Sequence, residues 1–248
     1  MKKFKPPIRV IEEIKLRRPY LLAAGPGTGN SGLLAVDYIR RSLQARPLAE
    51  IEMDHFYTAP FVVKVEDGLL KLDEMPWEGE KPENKFYYWK SGGTSDWVFF
   101  TSTAQPVPGK ISELAARVTD VAKAFRVRRL YIAGAFATDI HHRAEPEVMG
   151  LASNQKLLEE LKARGIPLVP PLNITFNLNV FLAGMALQRG IEVMGLASEV
   201  PFYVMEQANL KASRTLVQQF CQLMGIEDKV DVAELQRLAA VQEQKIDA

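Results

Sequence analysis

The 248-residue chain has a single cysteine, Cys221, and three histidines. One thiol excludes an internal disulfide, a Cys-based zinc site and an iron–sulfur cluster, and it fits a reducing compartment. Charge of one sign is equally scarce: 31 basic against 30 acidic side chains leave a net charge of +1. A general nucleic-acid binder should carry a basic excess, so nucleic acid is not an expected partner. Long hydrophobic runs are missing as well. The longest, Leu130 to Ala137 and Val180 to Leu187, are far short of the ~18 residues of a membrane-spanning helix. The basic start, Met1-Lys2-Lys3-Phe4-Lys5-Pro6-Pro7, leads into Arg9, Glu12, Glu13 and Lys15 rather than into an apolar segment. No targeting signal is read there, and the expected location is the cytoplasm, with no membrane partner. No Gly-Lys-Ser/Thr follows the glycine-rich segment, which excludes a P-loop, and no G-x-S-x-G elbow occurs, so no catalytic serine is assigned. Fixed-period repeats and Gly/Ser/Pro-rich linkers are also lacking, which leaves one domain as the expectation.

What is there is a globular composition, 47% hydrophobic and 25% charged, patterned in alternating short apolar runs and longer 3.6-period segments. Strands are expected over 19–24, 49–56, 85–89, 97–101, 129–136 and 191–197. Helices are expected over 33–43, 111–125, 153–162, 178–188, 209–224 and 231–244. Ser153 is the expected cap of the third helix, and Asp231 with Glu234 forms a capping box for the last. Gly165, Gly190 and Gly225 sit where left-handed C-terminal glycines belong. Residues 60–72 read as a hairpin turning at Asp67-Gly68, followed by a charged, proline-containing loop over 75–84. Strand–helix alternation of this kind gives an α/β fold: a single domain with a mixed, mainly parallel twisted sheet flanked by helices, plus a β-hairpin extension and C-terminal helices. The expected division is an α/β core over 1–205, with the hairpin extension at about 60–101, and a helical segment over 206–248. That segment packs on the core or serves a subunit interface.

The glycine turn carries the strongest motif. Gly27-Thr28-Gly29-Asn30-Ser31-Gly32 fits G-x-G-x-x-G, follows a strand and opens a helix, the context a dinucleotide site requires. Glu50, Glu52 or Asp54 stands about where a ribose-binding acid would, so an NAD-dependent Rossmann oxidoreductase is one reading. A tight strand–helix junction that binds nothing is another.

The same stretch, Leu22 to Ala35, resembles the opening signature of the proteasome assembly chaperone 2 family, roughly G-x-P-G-x-G-N-x-G before an apolar helix. Gly25-Pro26-Gly27 is one residue more compact than the family's usual spacing. Pro26 and Asn30 are not demanded by a Rossmann turn. The resemblance continues through Arg46-Pro47 to Phe56-Tyr57, Phe61 to Gly68, Asn84 to Trp89, Gln105-Pro106 and Gly134-Ala135. Ile140-His141-His142-Arg143, Glu199 to Val204 and the terminal helices with Asn209-Leu210-Lys211-Ala212 also agree. It implies one α/β domain similar to the nucleoside phosphorylase fold, a homo-oligomer as in most prokaryotic members, and a role in protein interaction or assembly without demonstrated catalysis. Eukaryotic members help to assemble the proteasome α-ring. Two positions depart from the family: Asn173-Ile174-Thr175-Phe176-Asn177 replaces a Gly-x-Ile-x-Gly loop, and the chain closes on Lys245-Ile246-Asp247-Ala248 rather than a hydrophobic-Tyr-x tail. The ATP-grasp label attached to some members finds no paired acids and lysines for magnesium and phosphates here.

Further residues complete the candidate set. Asp139-Ile140-His141-His142-Arg143-Ala144-Glu145 follows a strand, suiting either a ligand crevice or a hydrogen-bonded polar loop; adjacent histidines diverge too much for a metal pair. The aromatics Phe86, Tyr87, Tyr88, Trp89, Trp97, Phe99 and Phe100 suit core packing, with base stacking or a subunit interface as lesser alternatives. Cys221 is expected as a small core residue. The candidate ligand set is Gly27, Gly29, Asn30, Gly32, Gly134, His141, Arg143 and Glu199, for a nucleotide or nucleoside; no metal and no cofactor are required.

Overall fold

The computed structural model describes residues 7–53, 55–57, 61–74, 81–170 and 177–247, with the side chains of 61–63 and 72–74 outside that description. Asp54, residues 75–80 of the charged loop and residues 173–176 of the replaced glycine loop therefore lie outside the described residues.

The first half of the chain folds as β1 (Ile8–Val10), β2 (Tyr20–Ala24), α1 (Ser31–Ser42) and β3 (Arg46–Ile51). The hairpin β4 (Phe61–Glu66) and β5 (Leu69–Glu74) follows, then β6 (Asn84–Trp89), β7 (Trp97–Ser102) and α2 (Ile111–Ala124). The second half contributes β8 (Arg129–Thr138), β9 (Val148–Ala152), α3 (Gln155–Ala163) and α4 (Leu178–Gln188). It closes with β10 (Glu192–Pro201), α5 (Leu210–Met224) and α6 (Ala233–Asp247). Eight strands form one sheet in the order β1-β3-β6-β7-β2-β8-β10-β9. The parallel character is concentrated at its centre: β7–β2, β2–β8 and β8–β10 pair in parallel, and the outer pairs are antiparallel. Helices α2 and α4 cover one face and α1, α3, α5 and α6 the other, so the central strands are apolar on both sides. The fold is thus the expected α/β domain around a mixed sheet.

The region 60–101 resolves into two different things. β4 and β5 form a separate two-stranded sheet, with Asp67 and Gly68 both at positive φ as a two-residue I′ turn requires. β6 and β7 instead lie inside the main sheet, between β3 and β2. Their aromatics are core: Phe86 and Phe100 pack under α2, while Trp97 and Phe99 pack toward α1 on the opposite face.

Three local expectations shift. The strand expected over 49–56 runs over Arg46–Ile51, and Phe56 is instead tied into a turn by its N–H on Met53 O at 2.8 Å. The cap of α3 is Asn154, whose Oδ1 accepts from Leu157 N at 3.0 Å; Ser153 Oγ accepts from Val193 N and binds the helix start to β10. β9, not foreseen, is an antiparallel edge strand on β10. Helix α5 is capped by Asn209 Oδ1 on Ala212 N at 2.9 Å and buries Leu216, Val217, Phe220 and Cys221 against the core. Asp231 Oδ1 accepts from Ala233 N at the start of α6.

Candidate functional site

The glycine turn joins β2 to α1 at the carboxyl end of the central strands. Several of its backbone groups are already engaged. Gly25 N–H donates to Asn179 Oδ1 at 2.8 Å, and Pro26 O accepts from Gln105 Nε2 at 2.5 Å. Gly29, at φ 59°, donates its N–H to Met205 O at 2.8 Å, and its carbonyl accepts from Asn209 N at 2.7 Å. Asn30 N–H turns back to Gly27 O at 2.8 Å, and Ser31 N–H to Thr28 O. A phosphate-binding turn presents such amides outward. Here the three consecutive amides of residues 29–31 are spent within the protein. Gly32 has the packing role of the third glycine in such a motif: a Cβ there would lie 2.2 Å from Ala133 O, so only glycine lets α1 rest on β8.

The acid of the oxidoreductase reading is misplaced. It should stand at the tip of a strand neighbouring β2, but β3 is separated from β2 by β6 and β7. Glu50 lies there instead, paired with Arg9 at 2.6 Å.

Between β2 and β8 the crossovers diverge: β2 leads through α1 toward β3, and β8 through α3 and α4 toward β10. Open α/β sheets form ligand crevices at such points. A cavity of about 340 Å³ lies there, lined by Gly27, Gly32, Gly134, Val180, Asn177 and Asn179 among others. Among the described residues, no acid, base or thiol lines it, and the one hydroxyl there is Thr28. Asn177 caps α4 through Val180 N at 3.2 Å, and Asn179 joins Gly25 to Ala133 O. Chemically, the cavity suits an uncharged, largely apolar occupant. Among the described residues, no group of three or more His, Cys, Asp or Glu is placed to hold a metal.

His141, Arg143 and Glu199 do not join this cavity. Arg143 forms two hydrogen bonds to Asp247, at 3.2 and 2.9 Å, near the end of α6. His142 Nε2 meets the same carboxylate at 2.8 Å, while its Nδ1 and backbone N–H both face the Tyr203 hydroxyl at 2.8 Å. The hydrogen bonds from Arg143, the largest cause, and from His142 hold the Asp247 carboxyl down to about 2. His141 Nδ1 accepts from Arg143 N–H at 3.2 Å beside a crevice of about 10 Å³, scarcely one water. Glu199 Oε2 accepts from Glu147 N–H at 3.0 Å and ties β10 to the segment before β9. Of the eight candidates, the structure therefore gathers Gly27, Gly32 and Gly134 at the cavity. It turns Gly29 and Asn30 toward internal partners, places His141 and Arg143 on a loop latched onto α6, and leaves Glu199 on β10 against the Glu147 amide. Sequence reasoning missed Gln105, Asn179 and Asp247; their helix-cap and strand-end positions were visible, but their long-range partners were not.

No curated protein matches the sequence. The PAC2 family model matches residues 21–248. Solved structures share the fold. Pyrococcus furiosus PbaB, an archaeal proteasome activator, superposes with a TM-score of 0.79 at 21% identity over 96% of both chains. The Mycobacterium tuberculosis proteasome-assembly chaperone homologue Rv2125 gives 0.69 at 21% identity, over 92% of this chain and 93% of that one. A PAC2 family protein from Streptomyces avermitilis gives 0.72 at 18% identity, over 92% and 94%.

Proposed function

The chain belongs to the PAC2 family, and from that premise we propose that it is a cytoplasmic homo-oligomer with a protein-interaction or assembly role. The observation that carries this reading is what the glycine turn holds. Its Gly29 peptide brackets the turn after β10, and that turn offers Phe202, Tyr203 and Met205 at 57%, 45% and 42% exposure. Leu238 and Val241 are likewise exposed on α6. Clustered large apolar side chains at a rigid surface suit association between protein surfaces. The names of the relatives, a proteasome activator and an assembly-chaperone homologue, point the same way. No helix among the described residues is long and apolar enough to cross a membrane.

Native mass spectrometry of the purified protein tests the proposal. A closed homo-oligomer carrying no nucleotide is expected, and alanine at both Phe202 and Met205 should weaken its association. A monomer at micromolar concentration would refute the self-association. A second reading, a small-molecule site, is favoured by the 340 Å³ cavity. Its uncharged lining suits a nucleoside better than a nucleotide, so adenosine should raise the melting temperature where the monophosphate does not.

A further inference from the structure

The opposite end of the molecule has a different character. Three loops enter or join adjacent strands there: residues 16–19 before β2, 90–96 between β6 and β7, and 125–128 before β8. They are stitched together by Arg128 N–H on Pro19 O, Asp96 N–H on Arg17 O and Tyr20 N–H on Asp96 O, all at 2.9–3.0 Å. Strands β6, β7, β2 and β8 are neighbours, so these loops span roughly 15 Å at ~4.8 Å per strand. On them and on the adjoining last turn of α2 stand Arg17, Arg18, Lys90, Lys123, Arg126 and Arg128, all exposed. Among the described residues none of these six forms an ion pair. The carboxylates nearby are already engaged: Asp96 is buried beneath the surface and accepts Arg17 N–H, Glu12 takes Tyr88 and Arg46, and Asp120 holds Arg189. Glu13 has an interaction of its own.

Two of the arginines occupy backbone positions that local folding would fill differently. Arg18 and Arg126 have φ of 43° and 59°, in the left-handed region that favours glycine. Arg126 ends α2, with its N–H on Lys123 O and Val127 N–H on Ala122 O. The same termination in α3, α4 and α5 uses Gly165, Gly190 and Gly225; in α1 it uses Gln44. An arginine at such a site is held at a cost to the fold, and six cations without a carboxylate partner among the described residues, Arg17 donating only to Gly93 O, repel one another.

We propose that this end of the sheet is a docking surface for an acidic segment of a partner protein, a loop or tail bearing several Asp or Glu. Four of the six cations are arginines, whose planar forks match carboxylates. None of their loops carries an exposed aromatic side chain of the kind that stacks single-stranded bases, which favours a protein over a nucleic acid. The surface lies away from the Phe202–Met205 turn, and the inference stands or falls independently of self-association.

The test is fluorescence anisotropy with a labelled peptide of about eight glutamates and a labelled DNA duplex of matched charge, at low salt and at ~150 mM. The peptide should bind, more weakly as salt rises, and more tightly than the duplex. Arg126→Glu with Arg128→Glu should weaken it at least about tenfold, while Lys156→Glu, on exposed α3, should change it less than about twofold. Arg126→Gly separates docking from folding: it should raise the melting temperature by ~2–4 °C and weaken the peptide about twofold to threefold. The proposal is overturned if the peptide does not bind at low salt, if the duplex binds more tightly, if charge reversal leaves affinity unchanged, or if Arg126→Gly lowers the melting temperature.

Discussion

Replacing Gly32 by alanine puts the packing account of the glycine turn at risk. The new Cβ would lie 2.2 Å from Ala133 O, 2.5 Å from Ala133 C and 2.9 Å from Gly134 N. All three are backbone atoms of a central strand paired in parallel with β2 and β10, so no side chain can swing away. The first turn of α1 must lift by roughly an ångström, an overpacking that costs ~3 kcal/mol. Alanine returns up to ~1 kcal/mol through helix propensity, leaving about 2 kcal/mol net destabilisation. In a chain of this length that is a fall of ~4–8 °C in melting temperature. Gly27→Ala is the internal comparison. Gly27 is extended, at φ −171°, and a Cβ there meets nothing within 4 Å. It should shift the melt by no more than about 1–2 °C. Thermal unfolding followed by circular dichroism, with refolding checked on cooling, reads both. If Gly32→Ala melts within about 1 °C of wild type, or Gly27→Ala proves the worse substitution, α1 does not rest on β8 as described.

The latch at the end of α6 should show in acid. The Asp247 carboxyl is held from 3.8 down to about 2, so its stabilisation is complete above about pH 4 and is lost as pH falls toward 2. Asp247→Asn should therefore melt below wild type at neutral pH, and the gap should close toward pH 2; a gap unchanged across that range would contradict the latch. Burial pushes the Cys221 thiol up to about 12, so in the native protein it should resist a thiol reagent at pH 8 and react stoichiometrically in denaturant. Asn209→Ala removes the cap of α5 and should cost about 1–2 kcal/mol, read as a lower urea midpoint with unchanged slope.

The helices were legible in the sequence because their stop signals are local. Gly165, Gly190 and Gly225 all adopt the left-handed conformation their positions suggested, and α4 spans Leu178–Gln188 ahead of its Gly190 stop as expected. The hairpin turn at Asp67-Gly68 was legible for the same reason. β9 was not. Its five residues include Gly150, whose lack of a side chain makes room for Leu161, and they follow Glu145-Pro146-Glu147, which reads as loop. The placement of β6 and β7 inside the sheet was also hidden, since strand order depends on crossovers rather than on any residue's neighbours. At the candidate site the motif's place in the fold was legible and the partners of its amides were not. The G-x-G-x-x-G spacing identifies a strand–helix junction, but where the Gly29 N–H points is decided by Met205, 176 positions later. That His141, Arg143 and Glu199 lie apart from the cavity was hidden for a similar reason, because Arg143 is taken up by Asp247 and Glu199 by the Glu147 amide, and no periodicity announces that.

The strand order also governs how the chain is made. β2 is the second strand to leave the ribosome, yet its neighbours are β7 and β8, and Arg129 follows Ala24 by roughly a hundred residues. At ~5–20 residues per second, the run Leu21-Leu22-Ala23-Ala24 waits ~5–20 s for its second edge to be covered. During that interval the nascent chain carries an apolar strand with an open edge, the kind of segment that invites aggregation or a ribosome-bound chaperone. A stalled or truncated product ending before β8 keeps that edge permanently, so quality control rather than refolding is its expected fate.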